Sequence, residues 1–148
     1  MGIDQKTVLI ADSNQVDILR LSLLLKRLDY SVVTVLNCSD VIKKTAVFNP
    51  DIVLISIRMS DMDSTACMEH IKKDAHLKAI PFVTMGEKSD ANALEDSLKK
   101  GAAAHIFKPL SPTSLYRLVQ KITEKKPREN VRARIIFKTT ILYQNIRR

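Results

Sequence analysis

The chain has 148 residues, 45% of them hydrophobic and 27% charged, which suits one globular domain with a short appendage. No apolar run approaches the ~20 residues that span a bilayer, and two cysteines, Cys38 and Cys67, are too few for a disulfide framework or a zinc site. The formal charge of +8 divides unevenly: residues 1–120 carry 15 Lys+Arg against 14 Asp+Glu, and residues 121–148 carry 9 against 2, so any attraction for nucleic acid or phosphate belongs to the tail.

The opening residues, MGIDQKTVLIAD, lack the basic, apolar and small-residue order of a secretory leader. Together with free thiols this predicts a cytoplasmic protein away from the membrane. Val8 to Ala11 reads as a first strand, and Asp12-Ser13-Asn14 as a helix-capping cluster. Val16, Leu19, Leu23, Leu24 and Leu28 recur at three- and four-residue spacing and predict the first helix. Ser31 to Leu36 is β-branched and predicts a second strand. Ser39 is expected to cap a helix running to about Phe48, stopped by Asn49-Pro50.

Ile52 to Ile57 predicts a third strand, fully buried because its apolar residues do not alternate with polar ones. A loop bearing Asp61 and Asp63 follows, with Ser64 as the expected cap of a helix carrying Ala66, Met68 and Ile71. Ile80 to Met85 is the fourth strand. Asp90 opens a helix through Leu94 and Leu98 to Lys100-Gly101, where glycine supplies the stop. Ala102 to Phe107 is the fifth strand, and Ser111 caps a last helix with Leu115, Leu118, Val119 and Ile122 on one face.

Five β–α pairs with short connections predict an α/β fold: a five-stranded parallel sheet with helices on both faces. In such a sheet the binding crevice lies at the carboxyl ends of the strands, near the reversal of strand order. Those ends carry Asp12 and Ser13, then Ser56, then Met85-Gly86, then Lys108-Pro109. The pattern breaks after Lys126. Residues 1–126 are therefore read as the domain, and 127–148 as a basic tail or the start of an incomplete second domain.

Four segments, VLIADSN, PDIVLISIRMSDMD, IPFVTMGE and GAAAHIFKPL, match in order and spacing the landmarks of the receiver (CheY-like) domains of two-component response regulators. The chain resembles that family over about residues 6–123, which implies a flavodoxin-like fold of the receiver type. In the family two acids after the first strand and an acceptor aspartate after the third hold Mg²⁺. A hydroxyl after the fourth strand and a lysine followed by proline after the fifth bind the phosphoryl group. Asp12 matches the first acid and Lys108 the lysine. Ser13 stands at the second acid, Ser56 at the acceptor and Gly86 at the hydroxyl. Thr84 lies two residues inside the strand, and His105 holds the place of a switching aromatic.

The resemblance thus implies a degenerate pocket of Asp12, Ser13, Ser56, Gly86 and Lys108, with no phosphoacceptor. A hard cation wants several carboxylate or phosphate oxygens, so with Asp12 the only remaining ligand candidate Mg²⁺ binding is expected to be weak or absent. A serine needs a general base, and none is placed beside Ser56, although Asp61 and Asp63 are near in sequence. Lys108 is expected to pair with Asp12 across the pocket, and the Lys108-Pro109 bond suits a cis turn. No enzyme activity and no cofactor is expected. The function implied is a phosphorylation-independent protein-interaction module. Its docking face for a protein partner or a second copy would run from Ala91 to Lys121.

Two alternatives rest on the tail. Arg128 and Arg132 stand four apart directly after the receiver-like segment, which resembles the opening of PilZ domains and points to cyclic di-GMP; planar arginine forks suit phosphates and guanine edges. The further segment such domains need is not found before Arg148, so a complete nucleotide site is not expected. Arg132, Arg134, Lys138, Arg147 and Arg148 would also suit nucleic-acid phosphates, with Phe137 and Tyr143 to stack, but no helix-turn-helix or RNA-binding signature accompanies them. This is the weaker alternative.

Overall fold

The computed structural model describes residues 5–125. Strands β1 (Thr7–Ala11), β2 (Ser31–Val35), β3 (Ile52–Ser56), β4 (Phe82–Gly86) and β5 (Ala104–Phe107) alternate with helices α1 (Gln15–Arg27), α2 (Cys38–Phe48), α3 (Ser64–Lys72), α4 (Ala91–Lys99) and α5 (Pro112–Lys125). A single 3₁₀ turn, Lys88–Asp90, leads into α4. The strands form one parallel sheet in the order β2-β1-β3-β4-β5. The winding therefore reverses between β1 and β3, which opens a crevice at their carboxyl ends.

β3 is buried at every position, as a central parallel strand covered on both faces must be. Its side chains alternate between two cores. Ile52 and Leu54 join Val8 and Ile10 against Ile18, Leu21 and Leu25 of α1 and Leu115 and Val119 of α5. Val53 and Ile55 join Leu9 and Ala11 against Val41 of α2 and Met68 and Ile71 of α3. Burying one such Leu or Ile contributes about 1.5–3 kcal/mol, so these two layers hold the strand ends in register. Among the described residues no helix is long and apolar enough to cross a membrane.

The order and type of the main elements agree with the sequence reading; several caps do not. Within the expected Asp12-Ser13-Asn14 cluster it is Asn14 that accepts the Val16 and Asp17 N–H bonds at the start of α1. Asn37, rather than Ser39, caps α2 by accepting from Asp40. Asp63 caps α3, and Ser64 is buried inside the helix with its hydroxyl donating to the Ser56 carbonyl at 2.5 Å. Each displacement has one cause: several cap-competent side chains sit side by side, and tertiary packing selects among them. Strand edges shift too, with β4 reaching Gly86 and β5 beginning at Ala104. The expected Ser111 cap is present, its Oγ accepting from Ser114 at 3.5 Å. The boundary after residue 126 and the tail, including Arg128 and Arg132, lie outside the described residues.

Candidate functional site

Four strand ends converge on the crevice. Asp12, one residue past β1, is almost fully buried, and its Oδ1 accepts from the Asn14 N–H at 3.0 Å. Its Oδ2 takes the Lys108 ammonium at 2.5 Å. The same ammonium bonds Asp17 Oδ2 on α1 at 3.0 Å. Lys108 follows β5, its N–H donates to the Gly86 carbonyl, and its bond to Pro109 is cis. Burial alone pulls its pKa down, but Asp12 and Asp17 outweigh burial and hold it above the usual lysine value. The charge is therefore secure at neutral pH.

Ser56 closes β3 and is 3% exposed. Its Oγ accepts from the Arg58 N–H at 3.3 Å. The nearby acids named from sequence are engaged elsewhere. Asp61 accepts from the Cys38 and Ser39 N–H groups at 2.8 and 3.0 Å, tying the β3–α3 loop to the start of α2. Those two donors hold its carboxyl below the usual aspartate range. Asp63 accepts from Thr65. No hydrogen bond links either carboxylate to Ser56 among the described residues, so neither is placed as its base.

Gly86 ends β4. A Cβ there would lie 2.9 Å from Ile57 Cγ2 and 3.2 Å from Asp90 Oδ2, so the room for a side chain is already taken. Asp90 is held from two sides: Glu87 N–H donates to its Oδ2 at 3.0 Å, and Arg58 Nε bonds its Oδ1 at 2.7 Å. The Glu87 donor first, and Arg58 after it, keep its carboxyl below the usual range. Thr84 points away from the crevice, its Oγ1 2.7 Å from Ser97 Oγ of α4. His105 sits half-buried beside it in the ladder, with Nε2 3.5 Å from Glu95 and its ring edge-on to Phe107 at 5.5 Å. Ser13 is exposed, its hydroxyl 3.5 Å from the Leu36 carbonyl.

The donor set does not suit Mg²⁺. Asp12 and Asp17 already share one ammonium, Ser13 and Ser56 bring neutral hydroxyls, and a hard cation needs charged oxygens beside its waters. Asp17, Arg58 and Asp90 were missed by reading strand ends. Asp17 lies at the helical start six residues before Leu23, and the Arg58–Asp90 pair is 32 residues apart in sequence; neither spacing signals a contact. Cys38 and Cys67 are buried free cysteines, the Cys67 thiol donating to the Cys38 carbonyl at 3.7 Å. Its hydrogen bonding with Cys38, then burial, push the Cys67 pKa far up, so it stays an inert thiol.

Beside the crevice a groove of about 950 Å³ runs between α1 and the start of α5. Leu21, Leu24, Pro109 and Leu110 form its apolar wall; Arg20, Arg27 and Lys88 outnumber Glu87 around it, Asp17 being paired with Lys108. Val16, Leu19 and Leu23 continue the apolar surface along α1, each more than half exposed at 62%, 61% and 51%.

The model of the response regulator receiver domain family matches residues 8–120. The two-component response regulator ORR3 of Oryza sativa subsp. japonica is 27% identical over 119 residues, covering 80% of this chain and 91% of that protein. The hybrid signal transduction histidine kinase D of Dictyostelium discoideum is 27% identical over 118 residues, 79% of this chain, which spans 8% of that kinase's length. Among solved structures, a putative response regulator from Chloroflexus aurantiacus superposes with a TM-score of 0.78 at 20% identity, covering 82% of this chain and 99% of that one. The chemotaxis response regulator CheY4 of Vibrio cholerae gives 0.74 at 18% identity, covering 80% and 98%. At these identities the structural likeness speaks to the fold alone.

Proposed function

The chain belongs to the response regulator receiver domain family, and from that premise we propose that it works as a phosphorylation-independent protein-interaction module. The observation that carries this reading is the pairing of Lys108 with Asp12 and Asp17 in a crevice whose acceptor position holds a buried serine. Phosphoryl transfer depends on metal, nucleophile and donors placed around the moving group. Here the carboxylate that would hold a metal is taken, no base bonds the serine hydroxyl among the described residues, and Gly86 has neither a hydroxyl nor room for one.

The docking face anticipated from sequence, Ala91 to Lys121, carries Phe107 as its one strongly exposed large apolar side chain. Its Lys108–Pro112 edge supports docking better, because it joins α1 in the amphipathic groove. An apolar wall rimmed by Arg20, Arg27 and Lys88 suits an acidic amphipathic helix of a partner protein, with apolar anchors at helical spacing. The same basic rim disfavours a second copy of this face. A designed acidic amphipathic peptide serves as the probe. Binding is expected to weaken on Arg20→Glu/Arg27→Glu and to be unchanged by acetyl phosphate with Mg²⁺. A phosphoryl adduct on the protein by intact mass, or tighter peptide binding after acetyl phosphate, would overturn the reading.

A further inference from the structure

We propose that Lys108 is the resident cation of the crevice, and that Asp17 is the residue that makes it so. The inference rests on the phosphorylation-independent reading above and goes further, by saying what excludes a divalent metal. Asp12 Oδ1 is committed to the Asn14 N–H, which leaves Oδ2 facing the pocket. That oxygen and Asp17 Oδ2 meet the same Nζ, at 2.5 and 3.0 Å. Asp12 is nearly buried, while Asp17 and Lys108 are 28% and 17% exposed. A partly buried carboxylate of this kind demands a positive partner.

The charge count decides which partner it is. Two carboxylates and one ammonium leave one negative charge; without the ammonium there would be two, which one divalent ion balances. Both oxygens lie within about 5.5 Å of each other, given their common contact. A cation of Ca²⁺ size, with oxygen contacts of ~2.3–2.6 Å, bridges nearly that span, and a smaller one such as Mg²⁺, at ~2.0–2.1 Å, does so once the two carboxylates close up by about 1 Å. A tethered ammonium competes at an effective concentration on the order of millimolar. It also arrives on a chain already fixed by the Lys108 N–H bond to Gly86. Asp17 stands in the first turn of α1, where the helix favours a negative charge. Its contact turns one ion pair into a clamp joining the ends of β1 and β5 to α1.

The test uses Lys108→Met, which keeps the aliphatic stem and removes the charge, with Mn²⁺ as the probe and amide line broadening as the readout. The wild type should show no saturable broadening around Asp12 and Asp17. K108M should gain it, with an affinity at least about tenfold higher, equivalent to about 1.4 kcal/mol, and K108M/D17N should lose it again. Saturable Mn²⁺ binding to the wild type as tight as to K108M, or a folded K108M that gains none, would overturn the proposal. Should K108M not fold, Lys108→Gln, which also removes the charge, is read in the same Mn²⁺ titration, with gained saturable broadening expected and its absence in a folded K108Q refuting the clamp. Reaction with acetyl phosphate is a separate readout, so the wider reading fails independently of this one.

Discussion

At Gly86 an added Cβ would sit 2.9 Å from Ile57 Cγ2 and 3.1 Å from Asp90 Cβ, closer than a packed interior tolerates without movement. Gly86→Thr, which would return a hydroxyl to the end of β4, is therefore expected to destabilise by about 1–3 kcal/mol through overpacking. A urea midpoint lower than the wild type's at an unchanged slope would register it; an unchanged midpoint would show that Ile57 and Asp90 yield freely. Lys108 illustrates the converse, a side chain whose partners were half visible. Its pairing with Asp12 follows from the convergence of strand ends, but Asp17 lies on the helix and belongs to no strand end. The raised Lys108 pKa means that the clamp stabilises fully below the unfolded lysine value of about 10.4. That contribution is lost as pH rises through the folded value. The stability difference between wild type and K108M should accordingly persist at neutral pH and shrink in strongly alkaline solution.

The first three helix starts draw on caps whose identity the sequence left among neighbours. Asn14 accepts two N–H bonds at the head of α1, so Asn14→Ala should cost about 1 kcal/mol, read as a lower thermal midpoint. Ser13→Ala, with a 3.5 Å contact to Leu36, should change little. The start of α2 has a second, remote support in Asp61. Its carboxyl and that of Asp90 titrate below the ordinary aspartate range. Groups lowered in the folded state stabilise above the unfolded value of about 3.9 and lose that contribution as pH falls through the folded value. Stability should thus fall on acidification below about pH 4, and Asp61→Asn should flatten that limb in denaturation curves. The caps were legible as clusters, because Ser, Asp and Asn crowd every helix start. The choice within each cluster was not, because it depends on contacts such as Ser64 with Ser56 that join separate elements.

Over the whole molecule, the alternation of apolar runs with helical periodicity was enough to give the parallel sheet, since the unbroken apolar run Ile52 to Ile55 marks a strand covered on both faces, and β3 is buried at every position. The crevice was legible as a set of positions, Asp12, Ser56, Gly86 and Lys108, because strand ends meet at the reversal between β1 and β3. What sequence could not give was the wiring across it. Arg58 to Asp90, Lys108 to Asp17 and Asp61 to the α2 amides each span distant chain positions, and charged residues of common type carry no mark of their partners. These three ties join the loops at the carboxyl edge of the sheet using the protein's own charges. They support the reading of a receiver that works without phosphorylation, with its docking surface beside the crevice. The most direct measurement is an amide NMR titration of the intact chain with Mg²⁺ and then beryllofluoride, which mimics an aspartyl-phosphoryl group. The account predicts no saturable shifts at Asp12, Ser56, Gly86 or Lys108. Saturable shifts that spread from these residues into α4 and α5 would show a working acceptor pocket and contradict it.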